Sequence, residues 1–201
     1  MLRNIIIIIA LVGGLIACQS SPRKNYFVLS AISPPSDLYS GRAQSVPADS
    51  HAVYSIGIGP IEVADYLDRS YIGYAENDNT LTIIDNNYWA EPLEKGIARV
   101  MALNISQLSP HNSFINFPWR SDNKPHYSFR IQLHSLTRNN HQASISATWE
   151  LLDHSNKSII QRKNFTQSVS IESNTKTLVQ GYSKLLGKLA EEMNQSLNAI
   201  H

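Results

Sequence analysis

Residues 126–136, HYSFRIQLHSL, and 142–152, QASISATWELL, decide the fold. In the first stretch Tyr127, Phe129, Ile131 and Leu133 alternate with Ser128, Arg130 and Gln132. In the second, Ala143, Ile145, Ala147, Trp149 and Leu151 do the same against mostly polar neighbours. A period of two puts all the apolar side chains on one face of a strand. The intervening Arg138-Asn139-Asn140-His141 is a turn signal, so the pair reads as an antiparallel hairpin. Asp153–Lys157 is the next turn, and 158–171 supplies a third strand of the meander.

Downstream, the period changes. Leu178, Tyr182, Leu185, Leu189, Met193 and Leu197 recur at spacings of three and four, which predicts an amphipathic helix from about Ser173 to Ala199. Its stripe is read as packing on the sheet, with an interaction surface as the alternative. Upstream, Leu93, Ile97, Val100, Met101, Ile105 and Leu108 predict another helix, opened by Pro92 and stopped by Pro110. Glu91 and Glu94 lie at its positive end, and Gly96 within it implies close backbone packing.

The remaining strands are shorter. Residues 26–29 (YFVL), 71–75, 80–85 and 114–119 read as strands, as does 55–63, SIGIGPIEV, with a bulge or an edge at Pro60. Residues 33–51 form an irregular Ser- and Pro-rich loop, and 64–70, ADYLDRS, a charged turn. The expected fold class is α/β: a mixed, largely antiparallel sheet covered by two helices. Trp89 and Trp119 are read as core residues.

The amino-terminal stretch stands apart. Residues 1–18 read MLRNIIIIIALVGGLIAC, with Arg3 before an uncharged stretch from Ile5 to Ile16. That run is short of the roughly 20 apolar residues a membrane-spanning helix needs. It fits the apolar core of a secretory signal. Leu15-Ile16-Ala17-Cys18 then matches the bacterial lipobox, in which the cysteine thiol receives a diacylglyceryl group and becomes the first residue after cleavage. The expected organisation is therefore a signal peptide over 1–17, an acylated cysteine and tether over 18–25, and one globular domain over 26–201. Two or three acyl chains on Cys18 make the attachment essentially permanent, because each buried methylene contributes about 0.8 kcal/mol. Arg23 and Lys24 in the tether are headgroup contacts or solvated linker charges. Gln19, rather than Asp, follows the cysteine, which by resemblance to Gram-negative sorting favours the outer membrane.

Composition narrows the function. The 201 residues carry 17 basic and 16 acidic side chains, a net charge of +1 that argues against a nucleic-acid partner. The single cysteine excludes an internal disulfide and a thiolate zinc cluster. The seven histidines form no close ligand pair; His126 and His134 share a parity opposite to Tyr127 and are expected to face solvent. There is no nucleophile elbow and no phosphate loop, and Pro60 spoils the glycine-rich 56–60 as an anion cradle. Asp65 and Asp68 are paired carboxylates or, beside Arg69, turn-stabilising charges. The reading is a non-enzyme with no cofactor and no metal; a lipid-modifying hydrolase is the minority alternative.

The run 58–69, IGPIEVADYLDR, resembles the V-x-P-x-x-V-P-D-Y-L-D-R segment of PqiC-type (YmbA-like) ABC-transport auxiliary lipoproteins. Residues 86–93, NNYWAEPL, resemble that family's W-A-E-P-L helix start. Tyr26–Leu29, Pro118-Trp119, the hairpin with Trp149 and the last helix follow in the same order, while Ala64 and Ser70 stand where prolines are common. The resemblance implies a non-catalytic lipoprotein subunit of a mammalian-cell-entry (MCE) lipid transport system, anchored in the outer membrane and facing the periplasm. Its implied partners are the MCE protein of the conduit and that protein's inner-membrane permease, with self-association into a ring as a further implication. Asp65, Tyr66, Asp68 and Arg69, in an exposed turn, are the candidate docking residues. A stand-alone envelope lipoprotein with a structural or assembly role is the alternative.

Overall fold

The computed structural model describes residues 22–32, 54–76 and 79–200. Cys18, the leader and the loop over 33–51 lie outside the described residues. In chain order the elements are β1 (Asn25–Phe27), β2 (Ser55–Val63), β3 (Tyr71–Ala75), β4 (Leu81–Trp89), α1 (Leu93–Leu108), β5 (Ser113–Asn116), β6 (Tyr127–Asn139), β7 (Gln142–Asp153), β8 (Ser158–Ser170) and α2 (Thr175–Asn198).

The expected hairpin is the centre of an eight-stranded mixed sheet. β6 pairs antiparallel with β7 over nearly its whole length, and β7 likewise with β8. The other flank of β6 is shared. Its first half carries β2 in parallel, from Ile56↔Tyr127 to Val63↔Leu133, and its end meets β3 at Ala75↔Thr137. The turn between β2 and β3 therefore sits where one neighbour of β6 gives way to the next. Outside these, β5 runs parallel to β2, β4 antiparallel to β3, and β1 parallel to β4. The two longest ladders, β6–β7 and β7–β8, are antiparallel, as the alternation predicts.

Phe129, Ile131 and Leu133 of β6 and the five alternating apolar residues of β7 are all buried. α1 lies on β2 and β5, α2 on β7 and β8, and the helices pack on each other. Gly181 makes the close approach of α2 possible: a Cβ there would stand 2.7 Å from Ile171 Cγ2 and 3.1 Å from Ala143 Cβ. Asn174 caps α2 by accepting from the Thr177 N–H at 2.9 Å. Trp149 is fully buried, with its indole N–H donating to Glu192 Oε1 at 2.9 Å.

Several details differ from the sequence reading. The β6 alternation breaks at a bulge between Leu133 and Ser135, which returns Leu136 to the core on the opposite parity. β4 continues to Trp89 because Asn86 takes a left-handed conformation (φ 58°), tolerable for asparagine, where the β3–β4 register shifts. Leu108 is 43% exposed: the buried stripe of α1 ends at Ile105, and the next buried position is Ser109, whose hydroxyl donates to Asn194 Oδ1. Pro60, by contrast, lies at one of the two places the reading allowed, a bulge inside β2, where the pairing with β6 skips from Ile58 to Ile61 and no ladder bond needs its missing N–H. Glu91 ion-pairs with Arg99 and lies across Gly96, whose Cβ would meet Glu91 Oε1 at 3.2 Å. Trp89 is core, whereas Trp119 is half-buried.

Candidate functional site

The charged turn over 64–70 is held from below. Ala64 N–H donates to Leu133 O (3.0 Å), which ties the turn to β6 at its bulge. Leu67 N–H donates to Ala64 O and Arg69 N–H to Leu67 O, both at 2.8 Å. Leu67 itself is 5% exposed and belongs to the core. Alternation of one apolar peg with polar neighbours thus produces a tight turn whose backbone is fixed while its charges are free.

Asp65, Asp68 and Arg69 are exposed. They do not neutralise one another: the Arg69 guanidinium donates to the Asp68 backbone carbonyl (3.2 Å), and none of the three forms an ion pair among the described residues. Tyr66 behaves differently. Its ring is half-buried against the core, and its hydroxyl donates to the His134 carbonyl at 3.4 Å. Burial holds its phenol above the ordinary tyrosine range. The phenol of Tyr182, on α2, is pushed further up by burial and by Tyr66 and Tyr74. The four expected docking residues are therefore three surface charges and one anchoring ring.

The sheet face away from the helices carries polar groups that the sequence reading did not single out. Glu150 of β7, with its side chain only 12% exposed, accepts from Arg130 of β6 (3.3 Å) and from Arg162 Nε of β8 (2.7 Å). Beside it, the Thr148 hydroxyl donates to Asn164 Oδ1 (2.9 Å) and lies 2.7 Å from His134 Nε2. The signal was present in the register: 130, 150 and 162 fall in one cross-strand row. His126 and His134 face solvent as expected, and His126 Nδ1 accepts from Ser55 N–H (3.0 Å).

At the end of the same face Trp119 covers Gly57, where a Cβ would stand 2.7 Å from Trp119 Cζ3 and 2.8 Å from Pro125 Cγ. Phe117 meets Trp119 edge-on at 5.1 Å, and Trp119 meets His154 at 5.8 Å. His154 Nε2 lies 2.8 Å from Ser128 Oγ, and its pKa is lowered, first by burial and then by Lys124. Elsewhere, a polar cavity of about 740 Å³ is lined by residues that include Tyr74, Glu76, Arg138, His141 and Ser173. Ser173 Oγ is 3.3 Å from His141 Nδ1 there, both exposed, and among the described residues no carboxylate hydrogen-bonds to the other ring nitrogen. No group of three metal-ligating side chains occurs among the described residues, and no helix among them is long and apolar enough to cross a membrane.

Comparison with known proteins gives the following. The model of a family described as an ABC-type transport auxiliary lipoprotein component matches residues 37–194. The crystal structure of an uncharacterized protein superposes with a TM-score of 0.69 at 17% identity, covering 88% of this chain and 99% of that one. Protein XCC0632 from Xanthomonas campestris superposes with a TM-score of 0.62 at 14% identity, covering 85% and 92%. At such identities the two structures establish the shared fold alone. No curated protein sequence matches the chain.

Proposed function

We propose that this chain, which belongs to the family of ABC-type transport auxiliary lipoprotein components, serves as the non-catalytic outer-membrane mooring of an MCE-type lipid transport system. The leader and lipobox support acylation of Cys18 and a domain held close to the periplasmic face of the membrane. Lipids cross an aqueous compartment only along a shielded apolar path, so such a conduit has to be held against its target membrane. An acyl anchor and a rigid domain provide that attachment with no reacting group.

The observation that carries the docking site is the turn over 64–70. Asp65, Asp68 and Arg69 are exposed and without ion-pair partners among the described residues, on a backbone pinned by Leu67 and the Ala64–Leu133 hydrogen bond. Charges carried on a fixed backbone give partner specificity with little backbone-ordering cost. The MCE protein of the conduit is the proposed partner at this surface.

The test is capture from envelope extracts after mild cross-linking. Tagged wild type is expected to bring down an MCE protein and its permease, and the triple variant Asp65→Asn/Asp68→Asn/Arg69→Gln to lose them while keeping its melting temperature. Cys18→Ser is expected to move the protein from the membrane to the soluble fraction. Wild type that captures no MCE protein removes the transport reading and leaves a stand-alone envelope lipoprotein.

A further inference from the structure

Lys24, Tyr26 and Val28 alternate with Asn25, Phe27 and Leu29 along the segment that carries β1. Phe27 and Leu29 turn to the core, so the alternate side chains face outward: Tyr26 is 63% exposed and Val28 49%. In register, Tyr26 stands opposite Tyr88 of β4, and Tyr88 stands opposite Tyr71 of β3. Three neighbouring strands thus place three tyrosines in one cross-strand row. The Tyr26 and Tyr88 rings are 5.7 Å apart, and Lys24 Nζ lies 5.5 Å from the Tyr88 centroid. The Tyr71 ring lies over Gly73, and Ile83, opposite Gly73, extends the patch at 48% exposure. Along the chain, the charges within three positions of the three tyrosines are Arg23, Lys24 and Arg69 against Asp68, Asp85 and Glu91, the last paired with Arg99; of these, Lys24 lies on the row itself.

The position of this row relative to Cys18 gives it a meaning. Eight residue steps separate Cys18 from Tyr26, which span at most about 29 Å. A domain of this size is roughly 40 Å across, so a lipid on Cys18 keeps this sheet edge within reach of the bilayer and the far side of the domain out of it. Tyrosine suits the headgroup layer because its ring is apolar and its hydroxyl wet, and a lysine beside it is drawn to anionic lipid.

We propose that the row Tyr26–Tyr88–Tyr71 with Lys24 is a membrane seat, which lies in the headgroup layer of an anionic leaflet and fixes the orientation of the domain. The seat rests on the acylation of Cys18 proposed above. It orients the turn over 64–70, which leads directly into Tyr71, relative to the bilayer.

The full acylated chain, reconstituted in phosphatidylethanolamine vesicles containing phosphatidylglycerol, tests this. Acylation consumes the Cys18 thiol, so Ile83→Cys offers a single site for an environment-sensitive fluorophore, and Thr166→Cys on β8 is the control. Lipids carrying a headgroup spin label are expected to quench the label at 83 and leave that at 166 unquenched. Adding Lys24→Gln is expected to reduce occupancy of the seat about fivefold, with the circular dichroism spectrum unchanged. An acylated chain whose label at 83 is unquenched overturns the seat alone. A label at 83 that is shielded from water yet unquenched by lipid means that a second copy or a partner subunit covers the row, and also overturns it. Cys18 without acyl chains, by mass spectrometry of the same preparation, overturns the anchor and the seat together.

Discussion

Leu67→Ala separates the charges proposed to dock a partner from the support beneath them. Leu67 is 5% exposed and is the apolar peg of the turn over 64–70. The substitution removes three carbons, worth about 2.4 kcal/mol of transfer free energy at about 0.8 kcal/mol each. Incomplete collapse around the vacated space brings the cost to about 3 kcal/mol. For a chain of this length that is a fall in melting temperature of about 6–12 °C. The second consequence is functional. With the peg gone, Asp65, Asp68 and Arg69 keep their chemistry and lose their common frame, so partner capture falls at temperatures where the domain is still folded. The assay pairs thermal unfolding of the purified chain with cross-linked capture from envelope extracts, beside the Asp65→Asn/Asp68→Asn/Arg69→Gln variant. That variant is expected to melt within about 0.5 kcal/mol of wild type, as surface changes do, and still to lose its partner. A Leu67→Ala melting temperature within about 2 °C of wild type refutes the role of Leu67 as peg. Full capture by Leu67→Ala after a large thermal loss refutes the rigid-turn argument instead.

Glu150→Gln leaves Arg130 and Arg162 without their shared carboxylate; both are about half exposed and regain water, so a loss of about 1–2 kcal/mol is expected in urea unfolding. Gly57→Ala drives a Cβ into Trp119 and Pro125, and a cost of about 1–3 kcal/mol with red-shifted tryptophan emission reports the displaced ring. His154 has a lowered pKa, so the unfolded chain binds its proton more readily than the folded one. Its contribution is present above about pH 6.5 and lost as the pH falls below that, so His154→Gln is expected to flatten the melting temperature against pH on the acidic side. Asn174→Ala removes the cap of α2 and is expected to cost about 1 kcal/mol in the same unfolding assay.

Much of this was legible in the residues. The alternation over 126–136 and 142–152 reports a backbone period, and the hairpin, meander and terminal helix follow from it with boundaries off by one to three residues. The left-handed Asn86 and the bulge at His134 were not legible, because a polar residue in a strand pattern reads as an end when it is in fact a local change of parity. The exposed charges of the candidate turn were visible as a run of mixed sign, but the inward setting of Tyr66 was not. The Arg130–Glu150–Arg162 cluster was invisible for a simpler reason: its members lie on three strands, and only the register brings them together.

By itself the chain specifies periods, caps and a run that resembles a lipobox, since these depend on neighbours within a few positions. Which strands flank β6, and hence that the charged turn falls at the junction of β2 and β3, is decided by packing. So is the alignment of Tyr26, Tyr88 and Tyr71, whose partners are 62 and 17 positions apart along the backbone. Hydrogen-bond register and core burial couple such distant residues only once the whole sheet has formed.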